Sequence, residues 1–520
     1  MLTKLILSHE FATQNNLNLW MKKSTQNNQT LFQFITQHQL IDEEKFLAAA
    51  SHLLNFPSIN LQETDLSYYL QLFNTSLEKN NTLALVNKTT DNEINLIIAN
   101  PLDSSLAEIL QFRNNQKVNI LFTHYTQLHY LYTRIQTNHL SKALSKNPIN
   151  VDVSEVINTV ISDAIHRHAS DIHFEPQISK NRVRLRIDGI LIDSITIPAK
   201  FMTQVINAIK ILAKLDISIK RLPQDGRFSA RSNLGYIKET RVSTYPTIHG
   251  EKLVLRLLNT DSELKSIDTL GIPSTSKKLI LKAIKQPQGL ILVTGPTGSG
   301  KSATLYSLLQ LLNTQACNVT TIEDPIEINI DGINQSAINT MNGFDFSDAL
   351  RALLRQDPDV IMIGEIRDKE TAQMAIRAAQ TGHLVLTSLH TNNAIETISR
   401  LVNMGITPFQ LSQAISLVIA QRLVRRLCEL CKSAAVSDND MISNFKPKGC
   451  SYCNNGFKGR TGVFEVIAFN EQSKAILFDN GRLKKHDKNF THTTLWDAAI
   501  DKVTSGLTSL CEIYRVIPHD

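Results

Sequence analysis

Long apolar runs are missing from this chain of 520 residues. No stretch approaches the roughly 18 consecutive apolar residues that a membrane-spanning helix requires. The opening stretch, MLTKLILSHEF, has only a short apolar segment and no cleavage site of small residues, so it does not resemble a secretory signal. We therefore expect the protein to remain in the cytoplasm and to reach a membrane only through partners.

Aromatic residues are also scarce, at 6% of the chain, and the formal net charge is a modest +6. The basic residues are scattered, apart from short clusters at 422–428 (RLVRRLC) and 482–488 (RLKKHDK), which we interpret as solvated helix faces. A protein that binds nucleic acid along a groove would interleave basic and aromatic side chains. We therefore expect no nucleic-acid partner.

The chain is too long for a single hydrophobic core, and its pattern changes along its length. Residues 1–135 are rich in Asn and Gln and carry helical patterns, and the polar segment 136–152 is typical of a linker. Residues 153–260 begin with a helical pattern and continue with alternating strands, which predicts an α+β domain. In residues 270–520, apolar strands alternate with helical segments, which predicts an α/β domain with a doubly wound sheet.

The segment 290–312, LILVTGPTGSGKSATLYSLLQLL, predicts a strand, a glycine-rich turn and an amphipathic helix, and it matches the spacing of a P-loop without substitution. The backbone amides of the turn would cradle the phosphates of ATP, Lys301 would bridge the terminal phosphates, and Ser302 would hold Mg²⁺. A glycine turn that matches by chance is the alternative. The predicted nucleotide-binding residues are Gly295, Pro296, Thr297, Gly298, Ser299, Gly300, Lys301 and Ser302.

Acidic residues follow two further apolar strands. The predicted strand at 319–322 is followed by Glu323 and Asp324, which we expect to be exposed, and the strand at 360–363 is followed by a glycine and Glu365. Because ligands bind at the carboxyl ends of strands in open parallel sheets, these carboxylates are candidates for orienting the attacking water or the hydration shell of the metal. Each carboxylate could instead cap a helix or lie in a solvated turn. The sequence leaves open which of Glu323 and Glu365 activates water.

A third predicted strand has a histidine at each end, His383 and His390. Residues seven apart on a continuous strand point to opposite faces, so the two imidazoles cannot both contact one phosphate. His390, at the carboxyl end, is the candidate for sensing the γ-phosphate. We interpret His383 as a histidine whose hydrogen bonds are satisfied near the start of the strand.

Four of the six cysteines form two CxxC pairs, with eighteen residues between the pairs. Disulfides are not expected in a reducing compartment, and a redox role would not need two pairs. Four thiolates satisfy a tetrahedral zinc ion completely and leave no open position, so we predict a structural zinc site. Its ligands would be Cys428, Cys431, Cys450 and Cys453.

Four segments, in this order, resemble the motifs of the secretion ATPases of type II secretion and type IV pilus systems. The P-loop is followed by TIEDPIE, which resembles the Asp box, LRQDPDVIMIGEIRD, which resembles the Walker B box, and TGHLVLTSLHTN, which resembles the His box. The resemblance extends over about 150–516. It is stronger to the pilus assembly (extension) ATPases than to the type II secretion ATPases, which remain the alternative.

This resemblance implies a RecA-like P-loop ATPase domain preceded by a PAS-like α+β domain and a mainly helical N-terminal domain. It also implies a homohexamer that hydrolyses ATP and works on an inner-membrane platform protein, at the inner face of the inner membrane. The family carries a tetracysteine zinc insertion where this chain has residues 428–453.

Three arginines of the α+β domain match arginines that reach the nucleotide in this family: Arg227 in LPQDGRF, Arg241 in ETRVSTYP and Arg256 in EKLVLRLL. Guanidinium groups stay charged and can hold phosphate oxygens with two hydrogen bonds at once. Each could instead be an ordinary surface arginine. We expect Arg256, in an otherwise apolar strand, to be buried with a partner.

The N-terminal region resembles the family only loosely. Some members bind cyclic di-GMP there, but the arginine and glycine that mark those versions are missing from QTLFQFITQHQLIDEEKFLAAA, so we predict no such binding. Two other functions compete with the motor ATPase. A hexameric helicase would need a basic groove with aromatics, and a nucleotide-sensing scaffold without hydrolysis would need a damaged site.

Overall fold

The chain forms two compact units, Met1–Asn259 and Thr260–Asp520. The computed structural model describes residues 2–26, 30–38, 40–59, 61, 84–88, 93–146, 151–178, 181–232, 237–258, 264–339, 343–435, 444–450, 453–480 and 492–518. Among these residues, no helix is both long enough and apolar enough to cross a membrane.

The N-terminal part of the first unit is mainly helical, as predicted. Its elements are α1 (Leu2–Ser8), α2 (Gln14–Gln26), α3 (Leu31–Gln37), α4 (Glu43–Leu54), β1 (Ala84–Lys88), β2 (Glu93–Ile98), β3 (Lys117–Phe122), α5 (Leu106–Asn114) and α6 (Tyr125–Lys146). The helices begin where the sequence supplies N-caps: Thr30 forms a capping box on α3, and the Asp42 side chain accepts a hydrogen bond from the backbone of Lys45 in α4. The three strands form a small sheet in the order β1-β2-β3.

The predicted linker at 136–152 is wrong over most of its length, because helix α6 continues to Lys146. The polar residues that suggested a linker alternate with Leu140 and Leu144, which lie one turn apart and are buried in the core of the α+β part of the unit. Residues 147–150 lie outside the described residues. The predicted boundary at residue 135 therefore falls inside a helix.

The α+β part of the first unit follows the predicted order. It contains α7 (Val153–His166), β4 (Asp171–Glu175), β5 (Asn181–Ile187), β6 (Ile190–Ile197), α8 (Ala199–Leu212), β7 (Gln224–Arg231), β8 (Ile237–Thr247) and β9 (Gly250–Leu257). The six strands form one antiparallel sheet in the order β6-β5-β4-β9-β8-β7. Alternate residues face a core shared with both helices, which leaves the other face of the sheet polar.

The second unit is the predicted α/β domain. Its helices are α9 (Ser274–Ile284), α10 (Lys301–Leu312), α11 (Phe346–Leu353), α12 (Lys369–Gln380), α13 (Ala394–Asn403), α14 (Pro408–Ala414), α15 (Glu471–Asn480), α16 (Leu495–Thr504) and α17 (Leu510–Val516). Its strands are β10 (Gly289–Thr294), β11 (Val319–Glu323), β12 (Asn334–Ala337), β13 (Val360–Ile363), β14 (Leu384–Leu389), β15 (Ile415–Leu427), β16 (Ser433–Ala435), β17 (Asn444–Lys446) and β18 (Phe457–Ala468).

Seven of these strands form one sheet in the order β12-β11-β13-β14-β10-β15-β18, parallel except for β18. Successive residues of β10 enter two different cores: Leu290 and Leu292 pack on one face, Ile291 and Val293 on the other. Burial on both faces explains why β10 and β13 consist mostly of apolar residues. The parallel orientation of the strands places their carboxyl ends along one edge of the sheet.

The basic cluster at 422–428 is not the solvated helix face that we expected. Residues 422–427 belong to strand β15, which lies between strands β10 and β18 in the sheet. Arg422 is only 3% exposed. Sequence alone could not show this, since the paired residues of strand β18 lie thirty or more residues away along the chain. The cluster at 482–488 lies outside the described residues.

Candidate nucleotide site

The predicted P-loop joins β10 to α10 and requires glycine at two positions. Gly295 and Gly300 both have positive φ angles, of 152° and 91°. A Cβ atom at Gly295 would lie 2.4 Å from the Ser299 Oγ and 2.5 Å from the Gln421 carbonyl oxygen, and one at Gly300 would lie 2.8 Å from the Gln421 Nε2. The P-loop turns tightly and lies close against β15, so neither Gly295 nor Gly300 has room for a side chain. This is the backbone shape that presents successive amides to a phosphate.

Lys301 is the first residue of α10, and its ammonium group lies against the same turn. The Nζ donates hydrogen bonds to the carbonyl oxygens of Gly295, at 2.9 Å, and Pro296, at 3.3 Å. Burial lowers the pKa of Lys301, and the nearby Glu365 carboxylate acts in the opposite direction. The fold thus brings together the lysine and the acid that the sequence predicted separately.

The groups around the turn fit a nucleotide phosphate. The Oγ of Ser299 is buried and has no hydrogen-bond partner within the described part of the chain. Ser302, the second residue of α10, is half-buried. A helix N-terminus, a desolvated lysine and a buried serine hydroxyl together favour an anion. A serine at the start of the helix suits the Mg²⁺ ion that accompanies ATP.

Glu365 lies two residues beyond β13 and is held from both sides. Its Oε2 is 2.9 Å from His390 Nε2, and its other carboxylate oxygen accepts a hydrogen bond from Arg367 Nε. Partial burial raises the pKa of Glu365, but the hydrogen bonds from Arg367 and His390 outweigh it, and the pKa lies below its ordinary value. The carboxylate is therefore ionised at neutral pH, as a proton acceptor must be.

The backbone around Glu365 is fixed by the neighbouring strands. Gly364 donates its amide to the carbonyl of Ile322, at 2.8 Å, and its own carbonyl accepts a hydrogen bond from Ser388 Oγ at 2.7 Å. Ile366 donates to the carbonyl of Ser388 at 3.0 Å. The glycine and the acid therefore leave the buried strand at a defined place, between β11 and β14.

The expectation that Glu323 is exposed is wrong. It is the last residue of β11 and only 4% exposed. Its carboxylate accepts hydrogen bonds from Thr321 Oγ1 at 2.7 Å, from Gln335 Nε2 at 3.0 Å and from the Tyr306 hydroxyl. Burial, together with this bond to Glu323, raises the pKa of Tyr306. The Glu323 carboxylate is therefore held in hydrogen bonds with Tyr306 of α10 and Gln335 of β12.

Asp324, His390 and His383 each have a different hydrogen-bond or ion-pair partner. Asp324 is exposed as expected, and one of its oxygens lies 3.2 Å from Arg367 Nη1. His390 pairs with Glu365 at the carboxyl end of β14. His383 Nδ1 lies 3.0 Å from the carbonyl oxygen of Ala378, which confirms its interpretation as a satisfied histidine near the strand start.

The three predicted arginines stand side by side in the sheet of the first unit. Arg227 on β7 is directly opposite Arg241 on β8, Arg241 is opposite Arg256 on β9, and Arg256 is opposite Asp171 on β4. Residues paired in this way share one face, so the arginines form a single row. Whether this row reaches a nucleotide stays a prediction.

The expected burial of Arg256 is wrong, since its side chain is 66% exposed. The apolar residues of β9 face the core, while Arg256 occupies an alternate position on the polar face. Its expected partner is present: Nε lies 2.9 Å from Asp171 Oδ1.

The four predicted zinc ligands lie together between β15 and β18. The Sγ atoms of Cys428, Cys431, Cys450 and Cys453 all lie within 4.8 Å of one another. The Cys428–Cys450 and Cys431–Cys453 sulfurs are 3.9 and 3.7 Å apart, too far for disulfides. A tetrahedron with Zn–S bonds of about 2.3 Å has edges of about 3.8 Å. The cluster therefore fits zinc.

Sequence reasoning missed Arg367, which contacts both Glu365 and Asp324. The sequence does place Arg367 only two residues after Glu365. Arginines near acidic residues are common on protein surfaces, however, so this spacing alone did not mark Arg367 as part of the site. Sequence reasoning also missed Tyr306 and Gln335, whose contact with Glu323 depends on tertiary packing.

A family model described as "Type II/IV secretion system protein" matches residues 149–515. The chain belongs to this family. The secretion-system family thus accounts for both the α+β part of the first unit and the second unit, and the protein is an ATP hydrolase with the predicted RecA-like fold. The predicted resemblance is confirmed.

Both branches named by the resemblance are represented among its relatives. The chain is 46% identical over 380 residues to the type IV pilus assembly ATPase PilB of Pseudomonas aeruginosa, covering 70% of this chain and 67% of that protein. It is 43% identical over 378 residues to the type II secretion system ATPase E of Vibrio cholerae, covering 70% and 75%. The structure of the Legionella pneumophila ATPase DotB matches with a TM-score of 0.54 at 24% identity, over 72% of this chain and 97% of that one, and shares the fold.

Proposed function

We propose that this chain is the motor ATPase that powers type IV pilus assembly, with type II secretion as the alternative. The observation that carries the proposal is the convergence of Lys301, Glu365 and His390 at the carboxyl edge of one parallel sheet. Pilus assembly is preferred because, over the same 70% of this chain, the identity is 46% to the pilus ATPase of Pseudomonas aeruginosa and 43% to the secretion ATPase of Vibrio cholerae.

The residues of the site have distinct tasks in hydrolysis. The amides of the P-loop and the Lys301 ammonium hold the phosphates, and Glu365 accepts a proton from the attacking water. His390 and Arg367 hold the Glu365 carboxylate in one orientation and keep it ionised. Bound Mg²⁺, held through Ser302, would neutralise charge on the phosphates. We assign Glu323 a structural role, and Asp324 a role in holding Arg367.

The wider assembly follows from the family. The chain would form a homohexamer in the cytoplasm, at the inner face of the inner membrane, and act on a platform protein embedded there. The row of Arg227, Arg241 and Arg256 would contact phosphate oxygens, so that cleavage of the nucleotide changes what the α+β domain contacts. No nucleic acid is required for this cycle.

The biological function can be tested by deleting the gene in the bacterium that encodes it. We expect surface pili to disappear and to return with the wild-type gene but not with a Lys301→Ala version, while exported proteins still reach the medium. Intact pili with exoproteins retained inside the cell would instead establish the type II secretion alternative. Stimulation of the purified ATPase by single-stranded DNA would favour a helicase.

The zinc site gives a separate prediction. Because structural zinc contributes directly to folding, Cys431→Ser should release the metal and lower the thermal midpoint by roughly 5 °C or more. Elemental analysis should find about one zinc per wild-type chain. Cys511→Ser is the matched control, since Cys511 is exposed and outside the cluster. Wild-type protein that purifies without zinc from metal-replete medium would contradict the assignment.

A further inference from the structure

The turn that follows His390 is attached to three different elements of the second unit. It comprises residues 391–393 and joins β14 to α13. Its contacts come from the end of β10, from the first turns of α13, and from the middle of β15. Because His390 is the residue just before this turn, whatever fixes the turn also fixes the backbone from which the His390 imidazole reaches Glu365.

The contact with β10 ties the turn to the P-loop. The amide of Thr391 donates to Thr294 Oγ1 at 3.1 Å, and the hydroxyls of these two threonines are hydrogen-bonded to each other. Thr391 Oγ1 is also 2.7 Å from Thr397 Oγ1 on α13. Thr294 and Thr397 are fully buried. Thr294 is the residue immediately before Gly295, where the P-loop begins.

The contact with β15 is made by Arg422. Its Nη2 donates to the carbonyl oxygen of Asn392 at 2.8 Å, and its Nη1 donates to the carbonyl oxygen of Gln421 at 3.1 Å. The amide of Asn392 donates in turn to Glu396 Oε2 at 3.1 Å. Burial lowers the pKa of Arg422, opposed by the carboxylates of Glu396 and Glu465. Both the amide and the carbonyl group of Asn392 are thus held in hydrogen bonds.

Strand β15 contacts the P-loop at the neighbouring position. Gln421 Oε1 accepts a hydrogen bond from Thr304 Oγ1 on α10 at 2.7 Å. The same glutamine lies where side chains at Gly295 and Gly300 would otherwise be. Two consecutive residues of one strand, Gln421 and Arg422, therefore touch the phosphate-binding turn and the turn beside His390.

We propose that Arg422 is a positioning residue for hydrolysis: it fixes the turn after His390, and so the His390–Glu365 pair, relative to the P-loop. This inference rests on the proposed role of Glu365. An arginine is suited to the task because its planar, permanently charged fork can bond two carbonyl oxygens of different segments at once. Displacement of a catalytic pair by about 1 Å can reduce turnover about a hundredfold.

A purely structural arginine would affect stability and nucleotide binding as well as turnover, so the test must separate these quantities. We compare Arg422→Met with Arg422→Lys in the full chain and measure kcat and KM for ATP, the Kd for ADP and the thermal midpoint. Arg422→Met should lower kcat by at least about tenfold, with KM and the Kd for ADP within about threefold of wild type. Arg422→Lys keeps a cation that can bond Asn392 but lacks the planar fork, so it should recover part of kcat, at least about threefold above Arg422→Met.

Arg426→Met is the matched control, because Arg426 lies on the same strand but is exposed. It should leave kcat unchanged. A second variant, Thr397→Val, removes the hydroxyl that bonds Thr391 without touching a charge, and it decides the matter if Arg422→Met does not fold. It should lower kcat about threefold at unchanged KM.

Three results would overturn the inference: Arg422→Met keeps more than half of wild-type kcat, Arg422→Lys is as impaired as Arg422→Met, or Thr397→Val leaves kcat unchanged. Failure of the proposed function would look different. Glu365→Gln would then hydrolyse ATP at the wild-type rate, whatever the Arg422 variants do.

Discussion

Replacing Lys301 by alanine should reduce ATP hydrolysis to below about one hundredth of the wild-type rate. The Lys301 ammonium is anchored on the P-loop carbonyls and lies close to Glu365, so its loss removes the only charge on α10's first turn that can meet the terminal phosphates. In a partly desolvated site that charge is worth more than in water. Phosphate release at saturating ATP, together with the Kd for ADP, measures the effect, and we expect the Kd to rise about tenfold or more.

Lys282→Ala is the control for this experiment, since Lys282 is an exposed lysine in the last turn of α9. It should hydrolyse ATP like the wild type. Phosphate release by the Lys301→Ala protein above about a tenth of the wild-type rate would show that the P-loop lysine is not required, and the assignment of the site would have to be abandoned.

Glu365→Gln should bind nucleotide normally but turn it over about a hundred to a thousand times more slowly. The amide keeps the size of the side chain. Its one oxygen can still accept the hydrogen bond from Arg367, and its NH2 group can donate to a neutral His390 Nε2, so the phosphate-binding turn is undisturbed. The glutamine cannot accept a proton. We therefore expect unchanged Kd values for ADP and ATP, and a large fall in kcat measured by single-turnover phosphate release.

The matched control is Glu370→Gln, because Glu370 is an exposed acid on the neighbouring helix α12 that pairs only with Arg351 among its described contacts. This variant should retain full activity. If the Glu365→Gln protein released phosphate at a substantial rate, another group would have to activate water, and buried Glu323 would become the residue to examine.

The parts of the site that follow from local rules were predictable. A P-loop is a contiguous pattern whose glycines are required by the backbone itself, and the clash of a Cβ at Gly295 with Ser299 involves residues only four apart. The apolar run of β13 and the acid after it are equally local. Parallel strands place their carboxyl ends together, so the meeting of Lys301, Glu365 and His390 followed from topology.

Most of the failures have a cause that only the folded chain reveals. Glu323 looked exposed because its partner Tyr306 comes from another helix and Gln335 from the next strand. Arg422 looked solvated because a cluster of basic letters carries no sign of the strand that pairs with it. Arg256 looked buried because the apolar residues on either side of it face the other way. The sequence of β9 shows that apolar and polar residues alternate, but it does not show which of the two sets faces the core.

The continuity of helix α6 has a practical consequence for anyone who shortens this protein. A chain begun at residue 153 would lack Leu140 and Leu144, which pack in the α+β core, and would leave an apolar gap beside α7. Such a fragment would tend to self-associate through the uncovered surface, and its kinetics would then report on aggregates. Fragments that begin ahead of Tyr125 keep the whole helix and avoid this artefact.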